Sequence, residues 1–168
     1  MSTLKVNTLQ NTSGNTLTLI KQVVQTTKTD VYTSTATSAT AVTGMAVTIT
    51  PSSTSSKILL QCMIMGEGID GVYFYIDDSS SPLLIGDTGQ SNQVRANFQI
   101  YRNAAESIGG IQPFMYLHSP STTSAITYRL MHLNPNSTTV VLNRTAFDAN
   151  NTFYGRFAST MIAQEVAG

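Results

Sequence analysis

The chain has 168 residues with nine basic and nine acidic side chains, so its formal net charge is zero. That length suits one domain around one core, and a neutral surface offers no field to hold a nucleic-acid backbone or an anionic membrane. Charged residues are only 11% of the chain, and 25 Thr and 18 Ser take the solvent-facing places instead, which favours strands because Thr is β-branched.

Residues 1–20 scatter Leu4, Val6, Leu9, Leu17, Leu19 and Ile20 among Thr, Asn and Ser, too sparsely to form a core. The expectation is an N-terminal arm over 1–20 that docks on a partner, with the folded domain at 21–168. From Lys21 to Thr40 the pattern predicts one or two edge strands joined by polar loop. Alternation then becomes clear. Met45, Val47 and Ile49 share one face and Ala46, Thr48 and Thr50 the other; later Val94, Ala96, Phe98 and Ile100 oppose Arg95, Asn97, Gln99 and Tyr101.

Pro51 to Ser56 is a turn cluster, and Lys57 to Met65 is apolar on both faces, which predicts a central strand. Further strands are predicted at Val72 to Ile76, Leu83 to Ile85, Phe114 to Leu117, Ala125 to Leu133, Thr138 to Leu142 and Phe157 to Val166. Only Asn103 to Ser107 suits a helical turn. Nine or ten short strands without helices to cover them predict an all-β antiparallel sandwich of jelly-roll type.

No stretch of about 18 apolar residues occurs, and residues 1–14 lack the basic-then-apolar layout of a secretory signal, so a cytoplasmic start without a membrane span is expected. The N-x-S/T triplets at Asn11, Asn136, Asn143 and Asn150 then imply no glycosylation. Cys62, the single cysteine, has no internal disulfide partner and lies in an apolar run.

Chemistry-bearing patterns are few. Asp87-Thr88-Gly89 is similar to the active-site triplet of aspartic proteases, but that reaction needs two carboxylates sharing a proton, hence a homodimer; Gly86 and Gln90 depart from the flanking residues of that family. A polar turn is the plainer reading. Glu67, Asp70, Asp77, Asp78 and Asp87 fall in a window free of Lys and Arg, yet their spacing is not that of an EF-hand loop. His118 and His132 lack zinc spacing, although single histidines meeting on a trimer axis would supply three ligands. No nucleophile elbow, Walker loop or dinucleotide fingerprint occurs. The expectation is a non-enzymatic protein with no catalytic residues, no cofactor and no metal. Tyr73 and Tyr75, alternating with Val72, Phe74 and Ile76, mark either a sugar-binding groove or a subunit interface.

Three segments resemble small structural proteins of tailed-bacteriophage virions, of the marine and cyanophage type. STLKVNTLQNTSGNTL is similar to the N-terminal attachment peptide of phage fibre-like proteins, ITPSSTSSKILLQ to their turn and first core strand, and ASTMIAQEVAG to their final strand. The resemblance covers about a third of the chain and implies a fibre-like, receptor-binding or capsid decoration protein, a homotrimer assembled in the bacterial cytoplasm. Its arm would join other virion proteins through Leu4, Val6 and Leu9, by strand addition or an apolar stripe. Subunit contacts would fall on Phe157, Met161 and Ile162, with Tyr73 and Tyr75 as alternatives. A host-surface glycan is a further expected partner. The competing classes are a free carbohydrate-binding module and, behind it, the homodimeric protease.

Overall fold

The computed structural model describes residues 10, 12–13, 19–68, 71–87, 89–101, 110–145, 147–152 and 154–168. Among these there are ten strands and no helix: β1 (Ile20–Lys28), β2 (Tyr32–Ser34), β3 (Thr40–Ile49), β4 (Lys57–Gly68), β5 (Val72–Asp77), β6 (Phe98–Ile100), β7 (Gly110–His118), β8 (Ile126–Leu133), β9 (Val140–Leu142) and β10 (Ser159–Val166). All strand pairings are antiparallel. The larger sheet runs β1-β10-β4-β9-β2 with β7 on the other side of β4, and the smaller runs β3-β8-β5-β6. The arm residues Leu4, Val6 and Leu9, and the helical turn expected at 103–107, lie outside the described residues.

Period-2 patterning decides which side chains meet between the sheets. On β4, Ile58, Leu60, Cys62 and Ile64 point inward; β10 adds Met161 and Ala163, and the smaller sheet answers with Met45, Val47, Ile49, Phe74, Ile76 and Leu130. Full burial of each large aliphatic or aromatic group contributes about 1.5–3 kcal/mol. β4 is central, flanked by β10 along one edge and β7 along the other over the same residues. Gly66 is needed at its far end, because a Cβ there would stand 2.9 Å from the Val141 carbonyl oxygen of β9.

Strict alternation fails once in β3, where Val42 and Met45 both face inward. The register shifts between Ala41 and Ala46, and Gly44 occupies a left-handed conformation at φ +83°. The extra residue turns the strand by one position and lets both apolar groups reach the core.

β9 and β10 lie end to end on the same side of β4, separated in sequence by an excursion over residues 143–158. Asn143 holds this break. Fully buried at φ +64°, it donates from Nδ2 to the carbonyls of Lys28 (2.8 Å) and Asp30 (3.0 Å), while its Oδ1 accepts from Ser159 Oγ at 2.6 Å. Its backbone NH bonds the Met65 carbonyl, and its carbonyl accepts from the Phe157 NH. One side chain thus ties β1, the β1–β2 turn and β10 together, and its burial shows that this N-x-T triplet is structural.

Two Tyr–His pairs connect the sheets. His118 Nδ1 of β7 lies 2.9 Å from the Tyr128 hydroxyl of β8, and His132 Nε2 of β8 lies 2.9 Å from the Tyr32 hydroxyl of β2. Burial pushes both histidines below their ordinary pKa, so each pair is neutral near pH 7.

Two predicted strands are corrected. Leu83 to Ile85 forms no strand: Pro82 precedes it, Leu84 sits at φ +48°, and the segment turns. Val94 to Asn97 does not pair as a ladder, and only Phe98–Ile100 does. Asn97 is the physical reason, because its side chain replaces backbone partners: Oδ1 accepts from the Ile76 NH at 2.7 Å and Nδ2 donates to the carbonyls of Leu83 and Leu84.

Candidate functional site

Three of the five acidic residues that suggested chemistry, Asp77, Asp78 and Asp87, are engaged locally. Asp87 Oδ1 accepts from the Gly89 NH at 3.1 Å, a turn within the triplet itself. Asp78 Oδ1 caps the Ser80 and Ser81 NH groups in the same way. Asp77 receives a two-pronged contact from Arg129, its directly opposed partner on β8: Nε to Oδ1 at 2.9 Å and Nη2 to Oδ2 at 2.7 Å. Glu67 is buried, and Asp70 lies outside the described residues. Among the described residues no three His, Cys, Asp or Glu groups stand close enough to hold a metal ion together. His132 is wholly enclosed in the core, which removes it from any symmetry axis between copies.

The residues expected at subunit contacts are spread over four places. Tyr73 and Tyr75 are half-buried on the outer face of the smaller sheet, opposite Leu133 and Met131, and burial raises the Tyr75 hydroxyl pKa. Phe157 approaches β10 half-buried and lies over Gly155, where a Cβ would stand 2.5 Å from its ring. Met161 is 1% exposed inside the core, so packing between the sheets already occupies it. Ile162, its neighbour, points out of the larger sheet. Strand parity explains the split, since adjacent residues on β10 cannot both reach one surface.

Two surfaces stand out. The first is the outer face of β1, β10, β4 and β7, where Val23, Met63, Ile111, Met115 and Leu117 are 44–66% exposed. A groove of about 580 Å³ runs across it past Gln61, Met63, Pro113, Met115 and Ile162. The continuous apolar run at Lys57 to Met65 was the sequence signal for this face. The positions on β7 carried the same signal less clearly, because Pro113 and Gln112 interrupt it.

The second surface is the excursion between β9 and β10. Thr145 and Gly155 are joined by a backbone hydrogen bond, and Asp148 sits between two guanidinium groups, ion-paired to Arg156 with Arg144 Nε at 3.8 Å. The rings of Phe147 and Tyr154 lie 6.1 Å apart, with Phe147 half exposed. A polar cleft of about 380 Å³ opens beside Asp148, Asn150, Asn151, Tyr154 and Arg156. Sequence patterning could not single out this loop, whose arrangement depends on Asn143 and Ser159 joining the ends of the excursion.

Compared with known proteins, the chain matches no family model and no curated protein sequence.

Proposed function

We propose that this chain is a non-enzymatic structural protein of a bacteriophage particle: a jelly-roll-type sandwich carried by an N-terminal arm, serving as a fibre-like or decoration component. One observation carries the reading. The segments ITPSSTSSKILLQ and ASTMIAQEVAG, which resemble phage structural proteins separately, form one unit here. β10 pairs with β4 from Thr160↔Met63 to Val166↔Lys57, and Glu165 binds Ser52 and Ser56 of the preceding turn. Two short likenesses in distant parts of the sequence therefore describe one continuous piece of the core.

In this reading the arm residues Leu4, Val6 and Leu9 attach to other virion proteins, copies of the chain associate, and the loops meet a host-surface glycan. The test is direct. An antibody raised against the purified chain should label intact particles from the organism that carries the gene, and the chain should co-purify with them in fixed stoichiometry. Deleting residues 1–20 should leave the body folded and abolish incorporation. A chain found only in the soluble fraction would sink the proposal.

A second reading, a carbohydrate-binding module, is favoured by the excursion loop, where exposed aromatic surface stands beside Asp, Asn and Arg side chains. Glycan binding by the isolated chain that is lost in Phe147→Ala, with residues 1–20 dispensable, would favour it over the particle role.

A further inference from the structure

The outer faces of the two sheets differ. The smaller sheet shows water a Thr48–Thr127 hydroxyl pair at 2.8 Å and the Asp77–Arg129 ion pair. The larger sheet presents more apolar surface, with Met115 66%, Ile111 64%, Val23 55% and Met63 48% exposed around the uncharged pairs Gln25–Thr160 and Gln61–Gln164. Its central outward positions on β1, β10, β4 and β7 carry no formal charge; Lys21 and Lys57 stand at one end.

We infer that this face packs against the same face of a second copy of the chain. Four strands about 4.8 Å apart, each about eight residues long at 3.3 Å per residue, span on the order of 500 Å² before side-chain relief is counted. Two such faces together cover on the order of 1,000 Å², about the least that a specific interface buries. Ile111, Met115 and Leu117 stand exposed on β7 along the groove lined by Gln61, Met63, Pro113, Met115 and Ile162, and a two-fold rotation brings two copies of this one surface together. Met63 and Met115 adapt to such a contact. A neutral face also meets its own copy without like-charge repulsion, while the two lysines stay in water at the rim.

The outer edge of β7 suits face-to-face contact better than strand addition. Among the described residues β7 pairs with β4 alone, and Pro113 at its middle cannot donate a ladder hydrogen bond. The inference stands apart from the particle reading, because an apolar face needs covering in either functional class.

The test is the molar mass of the full chain by light scattering over a wide concentration range. The wild type should weigh two chain masses, and the Met63→Glu, Met115→Glu double variant one chain mass, with an unchanged far-ultraviolet circular dichroism spectrum. A milder pair, Ile111→Thr with Leu117→Thr, keeps β-propensity and should weaken association at least tenfold, which covers the case in which the charged variant fails to fold. Thr48→Glu, on the opposite face, should leave the mass unchanged. A wild type of single-chain mass at its highest soluble concentration, or an oligomer unaffected by both pairs, would overturn the inference. So would dissociation by Thr48→Glu.

Discussion

Glu165 of the last strand accepts two hydrogen bonds from Ser52, from its backbone NH at 2.7 Å and its hydroxyl at 2.6 Å, although 113 residues separate them. The same oxygen accepts from Ser56 Oγ, and the other carboxylate oxygen takes the Gln22 amide of β1 at 2.6 Å. Burial of this fully enclosed carboxylate works to raise its pKa, but the bonds from Ser52, Gln22 and Ser56 outweigh it and hold the pKa at about 2. The serine-rich turn, the first strand and the chain end are thereby locked at one corner.

Glu165→Gln should therefore destabilise the fold by about 1–3 kcal/mol at pH 7, since charge-assisted bonds become neutral and one acceptor becomes a donor. The depressed pKa also sets a pH window. The carboxylate's contribution is complete above the ordinary value of 4.5 and is lost as pH falls toward 2, because the unfolded chain takes up the proton first. Urea unfolding at pH 7, 4 and 3 should show this fall in the wild type and a shallower one in the variant. Parallel pH profiles would refute the assignment.

The Tyr–His pairs predict an earlier loss. Both histidines have pKa values lowered by burial, so the unfolded chain protonates first as pH drops below the ordinary 6.5. Stability should be complete above that value and decline as pH falls below it. His132→Gln should flatten part of the decline, and Tyr32→Phe should cost about 1–2 kcal/mol at pH 8 by removing the partner of His132 Nε2. An unfolding free energy equal at pH 7 and pH 5 would contradict the neutral-pair description.

Asn143 is the position at which a single substitution should do the most local damage. Asn143→Ala removes the bonds to Lys28, Asp30 and Ser159 and leaves a non-glycine residue at positive φ, for an expected loss of about 2–4 kcal/mol. Asn143→Gly relieves the backbone but not the hydrogen bonds, and should recover about 1 kcal/mol of that loss. Thermal midpoints of the three proteins test this order, and an alanine variant as stable as the wild type would show that the β9–β10 break holds without the amide.

Cys62 behaves as a small apolar side chain, with burial pushing its thiol pKa up to about 12. Cys62→Ala should cost about 1–2 kcal/mol through the space it leaves. Thiol labelling of the native protein should proceed only through unfolding. Rapid labelling at neutral pH would show that Cys62 is accessible.

Two features were legible in the sequence because both are local. Alternation at Met45, Val47 and Ile49 marked the inward face of β3, and the doubly apolar run at Lys57 to Met65 marked a central strand. The expected strand at Leu83 to Ile85 failed because propensity ignores Asn97, whose side chain claims the carbonyls of Leu83 and Leu84 from fourteen and thirteen residues away. Among the expected contact residues, Met161 and Ile162 were placed together by hydrophobicity alone, while strand parity sends one into the core and the other onto the outer face.

By itself, then, the sequence determined an all-β chain with a neutral hydroxyl-rich surface, since composition and period-2 patterning act within a few residues. Tertiary structure decided what those elements do to one another: Asn143 bridging a broken column, Glu165 closing a corner, burial keeping both histidines neutral beside their tyrosines, and four strands assembling one uncharged, largely apolar face. Each depends on residues far apart in the chain, whose meeting is decided by sheet order and register.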